Sequence, residues 1–243
     1  MSDALRPWVL LRGLTREAGH WGDLPQRIAA AYGVPVHPID LPGNGARWAE
    51  RSPTRIDALA DAVRATATAQ GLAAPVNVLA LSLGGMVATN WAARHPQEVA
   101  RLVLAGTSAR NYAPLHWRLR PRAALPLLIA VLRGDDAAIE RAVLAATSAG
   151  GDARVLPQWI ALRRAHPVSR RNAAAQLLAA ARYRAPARLP VPVRLLVGAR
   201  DALVDPRCSL RLAQAWGADL RTHPDAGHDL PLDAPDWVVA QLA

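Results

Sequence analysis

Short apolar runs, each too brief for a helix, recur along the chain and alternate with longer stretches whose apolar residues return every three to four positions. Trp8 to Leu11, Val34 to Ile39, Val76 to Leu81 and Arg101 to Ala105 read as strands. Between the first two, Trp21 to Tyr32 reads as a helix. Ile56, Leu59, Ala60 and Val63 keep a helical period in the next unit, which Thr54 is placed to cap and Gly71 to end. A helix-compatible segment then follows the Val76 to Leu81 strand as far as Arg94. Strict strand and helix alternation requires right-handed crossovers, hence a mostly parallel sheet with helices on both faces. Sites in such sheets lie beyond the carboxyl ends of the strands.

From about Ser108 to Leu189 the alternation stops. Ala124 to Arg133, Asp135 to Ala146, Pro157 to Ala165 and Asn172 to Tyr183 read as short helices separated by Pro and Gly. Alternation resumes with a strand at Val191 to Val197, a helix over Pro206 to Trp216, a strand near Asp219 to His223 and a last helix from Pro235. The expected organisation is therefore an α/β core built from residues 1–107 and 190–243, with residues 108–189 inserted between two strands as a helical cap.

The Val76 to Leu81 strand runs into Ser82, Leu83, Gly84 and Gly85. A serine at such a strand-to-helix turn sits on a strained backbone, and the residues two before and two after it must be small for strand and helix to pass. Ala80 and Gly84 meet that need. A hydroxyl is a weak nucleophile near neutral pH and needs a base, which in turn needs an orienting anion. Asp201 follows the Val191 to Val197 strand and His228 follows the next, so all three groups fall at carboxyl ends of strands, in the order Ser, Asp, His. Asp205 and Asp225 are the rivals for the acid. Acyl transfer also needs two oxyanion donors; the backbone N–H of Leu83 and that of Leu14 are placed for it. The other histidines, His20, His37, His95, His116, His166 and His223, are read as structural or surface groups, with His20 and His223 nearest the approaches to the site.

These stretches resemble the alpha/beta-hydrolase family over nearly the whole chain. The resemblance is carried by Arg12-Gly13 with Trp21, Asp40-Leu41-Pro42-Gly43-Asn44-Gly45, Ala80-Leu81-Ser82-Leu83-Gly84-Gly85, Gly198 with Asp201, and Gly227-His228. Cap placement and size are similar to those of small bacterial serine esterases of the pimeloyl-carrier-protein methyl ester esterase type. The resemblance implies a cofactor-free hydrolase of esters or thioesters working through an acyl-serine, with Ser82 as nucleophile, His228 as base, Asp201 as its orienter and Leu14 and Leu83 as oxyanion donors. Two positions depart from the family pattern: Arg12 stands where histidine is usual, with Glu17 as its expected partner, and Ala80 replaces a glycine. On the same scaffold the alternatives are lactone opening, carbon–carbon bond cleavage, perhydrolysis, or a non-catalytic member that binds a small hydrophobic ligand.

Charge refines this picture. All 29 basic residues are Arg, so Schiff-base chemistry and a P-loop lysine are excluded. Residues 110–188 hold 14 Arg against 4 acids, a net of +10, while the remainder balances. Beside a solvated helical face, that excess would suit an anionic handle such as an acidic acyl carrier protein or the phosphates of coenzyme A, with Arg163, Arg164, Arg170 and Arg171 as its contacts. Nucleic acid is not expected, since no aromatic interleaving or binding module accompanies the arginines. The lone Cys208 allows neither an internal disulfide nor a cysteine metal cluster and reads as a small buried hydrophobe. No His and carboxylate spacing points to a metal. Met1 to Pro7 lacks the pattern of a secretory leader and no apolar run is long enough for a membrane span, so a cytoplasmic location is expected.

Overall fold

The computed structural model describes residues 6–243, so five residues of the Met1 to Pro7 stretch read above lie outside it. Six strands form one sheet: β1 (Trp8–Leu11), β2 (Val36–Pro38), β3 (Val76–Leu81), β4 (Val99–Ala105), β5 (Val193–Gly198) and β6 (Asp219–His223). Their order is β2-β1-β3-β4-β5-β6, and every pairing is parallel. Parallel neighbours need crossovers, and α1 (Leu24–Tyr32), α2 (Ile56–Ala69), α3 (Leu83–Arg94) and α9 (Arg207–Trp216) supply them. The period of two along each strand divides its side chains between two cores. Val9, Leu11, Val78, Ala80, Leu102 and Leu104 face α2, α3 and α9, whereas Trp8, Leu10, Leu79, Leu81, Val103 and Ala105 face α1 and the carboxyl-terminal helix α11 (Pro235–Ala240). Both faces are covered, which is why β1 and β3 are buried along their whole length.

Between β4 and β5 the chain is helical: α4 (Leu115–Arg118), α5 (Pro121–Arg133), α6 (Asp136–Thr147), α7 (Leu156–Ala165) and α8 (Arg170–Arg182). Ala130, Ile139, Val143, Leu144 and Trp159 form a small apolar cluster of their own there. Among the polar contacts that tie this segment to the core are those of Gln176, Asn172 and Glu140. Gln176 on α8, fully buried, donates to Asn44 Oδ1 at 2.7 Å and Ser52 Oγ at 2.9 Å, and accepts from Thr15 N at 2.9 Å. Asn172 accepts from Ser52 N and donates to Glu50 O. Glu140 on α6 accepts from Arg16 Nη1 at 2.6 Å and from Arg163 Nε at 2.8 Å. By contrast, α5 turns Leu125, Leu128, Ile129 and Leu132 outward.

Element boundaries moved where a local contact outweighs the apolar period. The helix expected from Trp21 is split: Ala18–Trp21 is a 3-10 turn, Gly22 takes φ +59°, and α1 starts at Leu24. Arg55, not Thr54, precedes α2, with no side-chain cap. The expected Asn172 start of α8 falls at Arg170, because Ser169 Oγ accepts from Asn172 N and so caps the helix earlier. The short turns α4 and α10 (Leu230–Asp233) carry too few residues to show a period. No helix among the described residues is long and apolar enough to cross a membrane.

Candidate active site

Ser82 joins β3 to α3 with φ +56° and ψ −115°, a conformation that costs an L-residue strain and holds the side chain clear of the sheet. What makes the turn possible is Gly84, where a Cβ would overlap the carbonyl oxygen of Leu11 and come within 2.7 Å of that of Arg12. The turn is pinned from β4: Ser82 N donates to Ala105 O at 2.8 Å, and Thr107 Oγ1 donates to Ser82 O at 2.9 Å. The Ser82 hydroxyl lies beside Gly13, whose Cβ would be 3.7 Å from Oγ.

Asp201 and His228 follow β5 and β6. Asp201 Oδ1 accepts from Leu203 N at 2.9 Å and Val204 N at 2.8 Å, leaving Oδ2 to meet His228 Nδ1 at 2.7 Å. A carboxylate oxygen accepts, so Nδ1 carries a proton, and in the neutral ring Nε2 keeps its lone pair. Both residues are buried. Burial alone would lower the imidazole pKa, but the Asp201 charge and hydrogen bond outweigh it and hold His228 above its ordinary 6.5. Gly106, with φ +53°, marks how tightly this pair sits against β4: a Cβ there would lie 2.9 Å from His228 Nδ1 and 3.6 Å from Asp201 Oδ2. Ser82 therefore bonds to Ala105 while His228 lies against its neighbour Gly106. Among the described residues no hydrogen bond joins Ser82 Oγ to His228 Nε2.

The rival acids are occupied elsewhere. Asp205 binds Arg207 and Arg120, and Asp225 pairs with Arg200 at the surface. The amide of Leu83 is the first of α3 and that of Leu14 follows Gly13; neither donates to a protein acceptor among the described residues, as amides meant for a bound anion would not. Thr15, next in line, takes φ +56° and is held there by Gln176.

The expected partner of Arg12 is corrected. Glu17 binds His166 Nδ1 at 3.0 Å. Arg12, itself buried, instead forks onto Asp229, the residue after His228, with Nη1–Oδ1 at 3.0 Å and Nη2–Oδ2 at 2.5 Å. Reasoning from sequence missed both Asp229 and Gln176; the available signal was a charged or polar residue beside positions that must be buried. His20 is buried, edge-on to Trp159, and burial pushes its pKa well below the ordinary value. His223 Nδ1 accepts from Asp225 N and Ala226 N, shaping the turn that leads to His228. Of the four arginines read as anion contacts, Arg163 is bound to Glu140, Arg164 lies 3.9 Å from Asp136, Arg170 reaches the Val131 carbonyl at 3.4 Å, and Arg171 is exposed. No three His, Cys, Asp or Glu side chains among the described residues gather to hold a metal ion.

A parallel sheet with this serine, histidine and aspartate at its carboxyl edge is an alpha/beta-hydrolase arrangement, and the chain belongs to the alpha/beta hydrolase family, whose model matches residues 8–241. Among its relatives, the pimeloyl-[acyl-carrier protein] methyl ester esterase of Neisseria meningitidis serogroup C is 40% identical over 111 residues, 45% of this chain and 40% of that protein. The protein of the same name from Chromobacterium violaceum is 36% identical over 134 residues, 55% of this chain and 48% of that one. The chain thus spans under half the length of the curated relatives it matches. Similar solved structures are the enol-lactonase from Burkholderia xenovorans LB400, with TM-score 0.78 and 22% identity over 98% of this chain and 90% of that one. A thermophilic esterase from Thermogutta terrifontis gives 0.72 and 24%, over 98% and 88%. At these identities the likeness is one of fold.

Proposed function

We propose that the chain is a serine hydrolase of carboxylic esters or thioesters, with residues 108–189 as a cap over the core formed by 1–107 and 190–243. The observation that carries the reading is the 2.7 Å Asp201–His228 bond, which leaves Nε2 as a free acceptor at the edge where Ser82 is held on a strained turn. In this reaction the Ser82 hydroxyl turns to His228 Nε2 as substrate enters, and Oγ attacks the ester carbonyl carbon while Nε2 takes its proton. Asp201 stabilises the imidazolium through Nδ1–H. The negative oxygen is received by the Leu14 and Leu83 amides, each worth about 3 kcal/mol in the barrier. Collapse of the adduct expels the alcohol or thiol, which leaves with the proton from Nε2; a water molecule then repeats the sequence on the acyl-serine. Ser82→Ala should abolish ester turnover and labelling by a fluorophosphonate probe. Retained turnover ends the proposal.

For the substrate we favour an acyl group on an acidic carrier protein. Its support is the names of the relatives and the +10 net charge of residues 110–188, of which Arg164, Arg170 and Arg171 remain exposed. Encounter with an acidic carrier is steered by that field, so kcat/KM on a carrier-linked ester should fall steeply with salt while that on a neutral p-nitrophenyl ester stays level. A flat response with the carrier-linked ester rejects the carrier.

A further inference from the structure

The fork between Arg12 and Asp229 spans 217 residues of sequence and joins the two loops that the proposed chemistry needs at a fixed separation. Arg12 directly follows β1 and stands two residues before Leu14, a proposed oxyanion donor. Asp229 directly follows His228, the proposed base. Resting on the serine-hydrolase reading, we propose that Arg12 and Asp229 are a positioning pair that sets the oxyanion loop and the His228 loop in register with Ser82.

Stability does not account for this pair. Both groups are about 3% exposed, and two ions taken that far out of water are commonly no better than a well-packed apolar pair of the same volume. Arg12 Nε has no hydrogen-bond partner, a further cost. What a bidentate fork supplies that apolar packing does not is direction, since two parallel N–H···O bonds fix both the distance and the relative rotation of the groups they join. Each end is itself immobilised. The Arg12 guanidinium lies over the Trp21 ring at 4.8 Å, and the Arg12 carbonyl packs against Gly84 beneath the serine turn. The Asp229 amide donates to Thr147 O at 2.7 Å.

The pair also assigns roles to two neighbouring carboxylates. His228 faces Asp201 and Asp229, with Arg12 beside the latter and Arg16 close to Asp229 in turn. Both oxygens of Asp229 are engaged by Arg12, and the His228 Nδ1–H goes to Asp201. The charges of Arg12 and Asp229 act on the imidazole in opposite senses and offset each other.

The test uses the full chain and a p-nitrophenyl ester, with melting temperature, kcat, KM and the pH profile of kcat/KM as readouts. Arg12→Met/Asp229→Leu removes both charges together, which spares the fold an unpaired buried ion. The expected result is a melting temperature near that of the parent, KM within about twofold, and kcat lower by about tenfold or more, because displacement of the loops costs transition-state contacts rather than ground-state binding. Arg12→Gln should raise the apparent pKa of the acidic limb and Asp229→Asn should lower it, with the double variant returning towards the parent value. A double variant whose kcat stays within about twofold of the parent overturns the proposal, as do single variants that move the pKa in the same direction. If the double variant does not fold, Arg12→Lys, which keeps the charge and loses the fork, is read instead: it must also lose kcat at unchanged KM. Failure of the underlying reading looks different, since the parent protein itself would then show no Ser82-dependent turnover.

Discussion

Gly198, the last residue of β5, packs against the backbone that leads into His228. A Cβ at this position would overlap the carbonyl oxygens of both Ala226 and Gly227, two backbone groups with no side-chain freedom to yield. Gly198→Ala therefore forces the β5 loop and the His228 loop apart by about 1 Å before carbon and oxygen regain ordinary contact. Added to the present 2.7 Å between Asp201 Oδ2 and His228 Nδ1, that opening takes the pair beyond hydrogen-bond range. The imidazole then loses its orienting anion, and a displacement of this size costs about 100-fold in kcat. The same overpacking should destabilise the fold by about 2 kcal/mol, about 6 °C in melting temperature for a chain of this length. Gly217→Ala is the matched control: with φ +62° and no atom within 4 Å of the new methyl, it pays about 1 kcal/mol of backbone strain and leaves kcat alone. Esterase kinetics and thermal melts on the two variants decide the matter. A Gly198→Ala protein that melts lower but keeps kcat within about twofold of the parent would refute the reasoning, because it would show that the two loops separate without consequence for the reaction.

Four further outcomes are expected. In the proposed reaction only neutral His228 takes the serine proton, so kcat/KM should rise with pH through a limb centred above 6.5, Asp201 favouring the protonated imidazole; a limb centred below 6.5 contradicts the assignment. Asp201→Asn should cost about 10³-fold in kcat and Asp205→Asn far less; equal losses would reopen the choice of acid. Arg207 and Arg120 lower the Asp205 pKa against the opposing effect of burial, so its contribution to stability is present at neutral pH and fades as acid protonates it. The melting-temperature gap between parent and Asp205→Asn should accordingly narrow below about pH 4, and a gap that widens there would give the wrong sign. Burial pushes the Cys208 thiol up to about 12, so iodoacetamide should modify it only after unfolding; stoichiometric labelling of the native protein would refute that.

The parts legible in the sequence are those whose signal is local. Strand β3 lies where its apolar run places it, β6 lies at the expected Asp219 to His223, and the turn at Ser82 is announced by small residues on either side. Asp201 and His228 could be placed because each follows a strand, and parallel strands deliver their carboxyl ends to one edge. Arg12–Asp229, Arg16–Glu140 and Thr15–Gln176 were not legible, being separated by 217, 124 and 161 residues. With 29 arginines facing 19 acids, sequence offers each cation many partners and no means of choosing. Arg163 shows the consequence: its place near the end of α7 suggests exposure, yet the buried carboxylate it answers sits on α6. A periodic pattern records which apolar residues turn inward and is silent on the polar ones that go with them, and Gln176 is of that kind.

Gln176 has a consequence for anyone wishing to re-engineer selectivity by exchanging residues 108–189 for the corresponding piece of another protein. Its amide grips Thr15, Asn44 and Ser52 at once, so a chimera lacking it loses a latch on two core loops, the one after β1 that holds Thr15 and the one between β2 and α2 that holds Asn44 and Ser52. A transplant is expected to work only if the donor piece brings an equivalent amide on the helix that replaces α8, since in this chain residues 108–189 and the loop after β1 are fastened to each other through that amide.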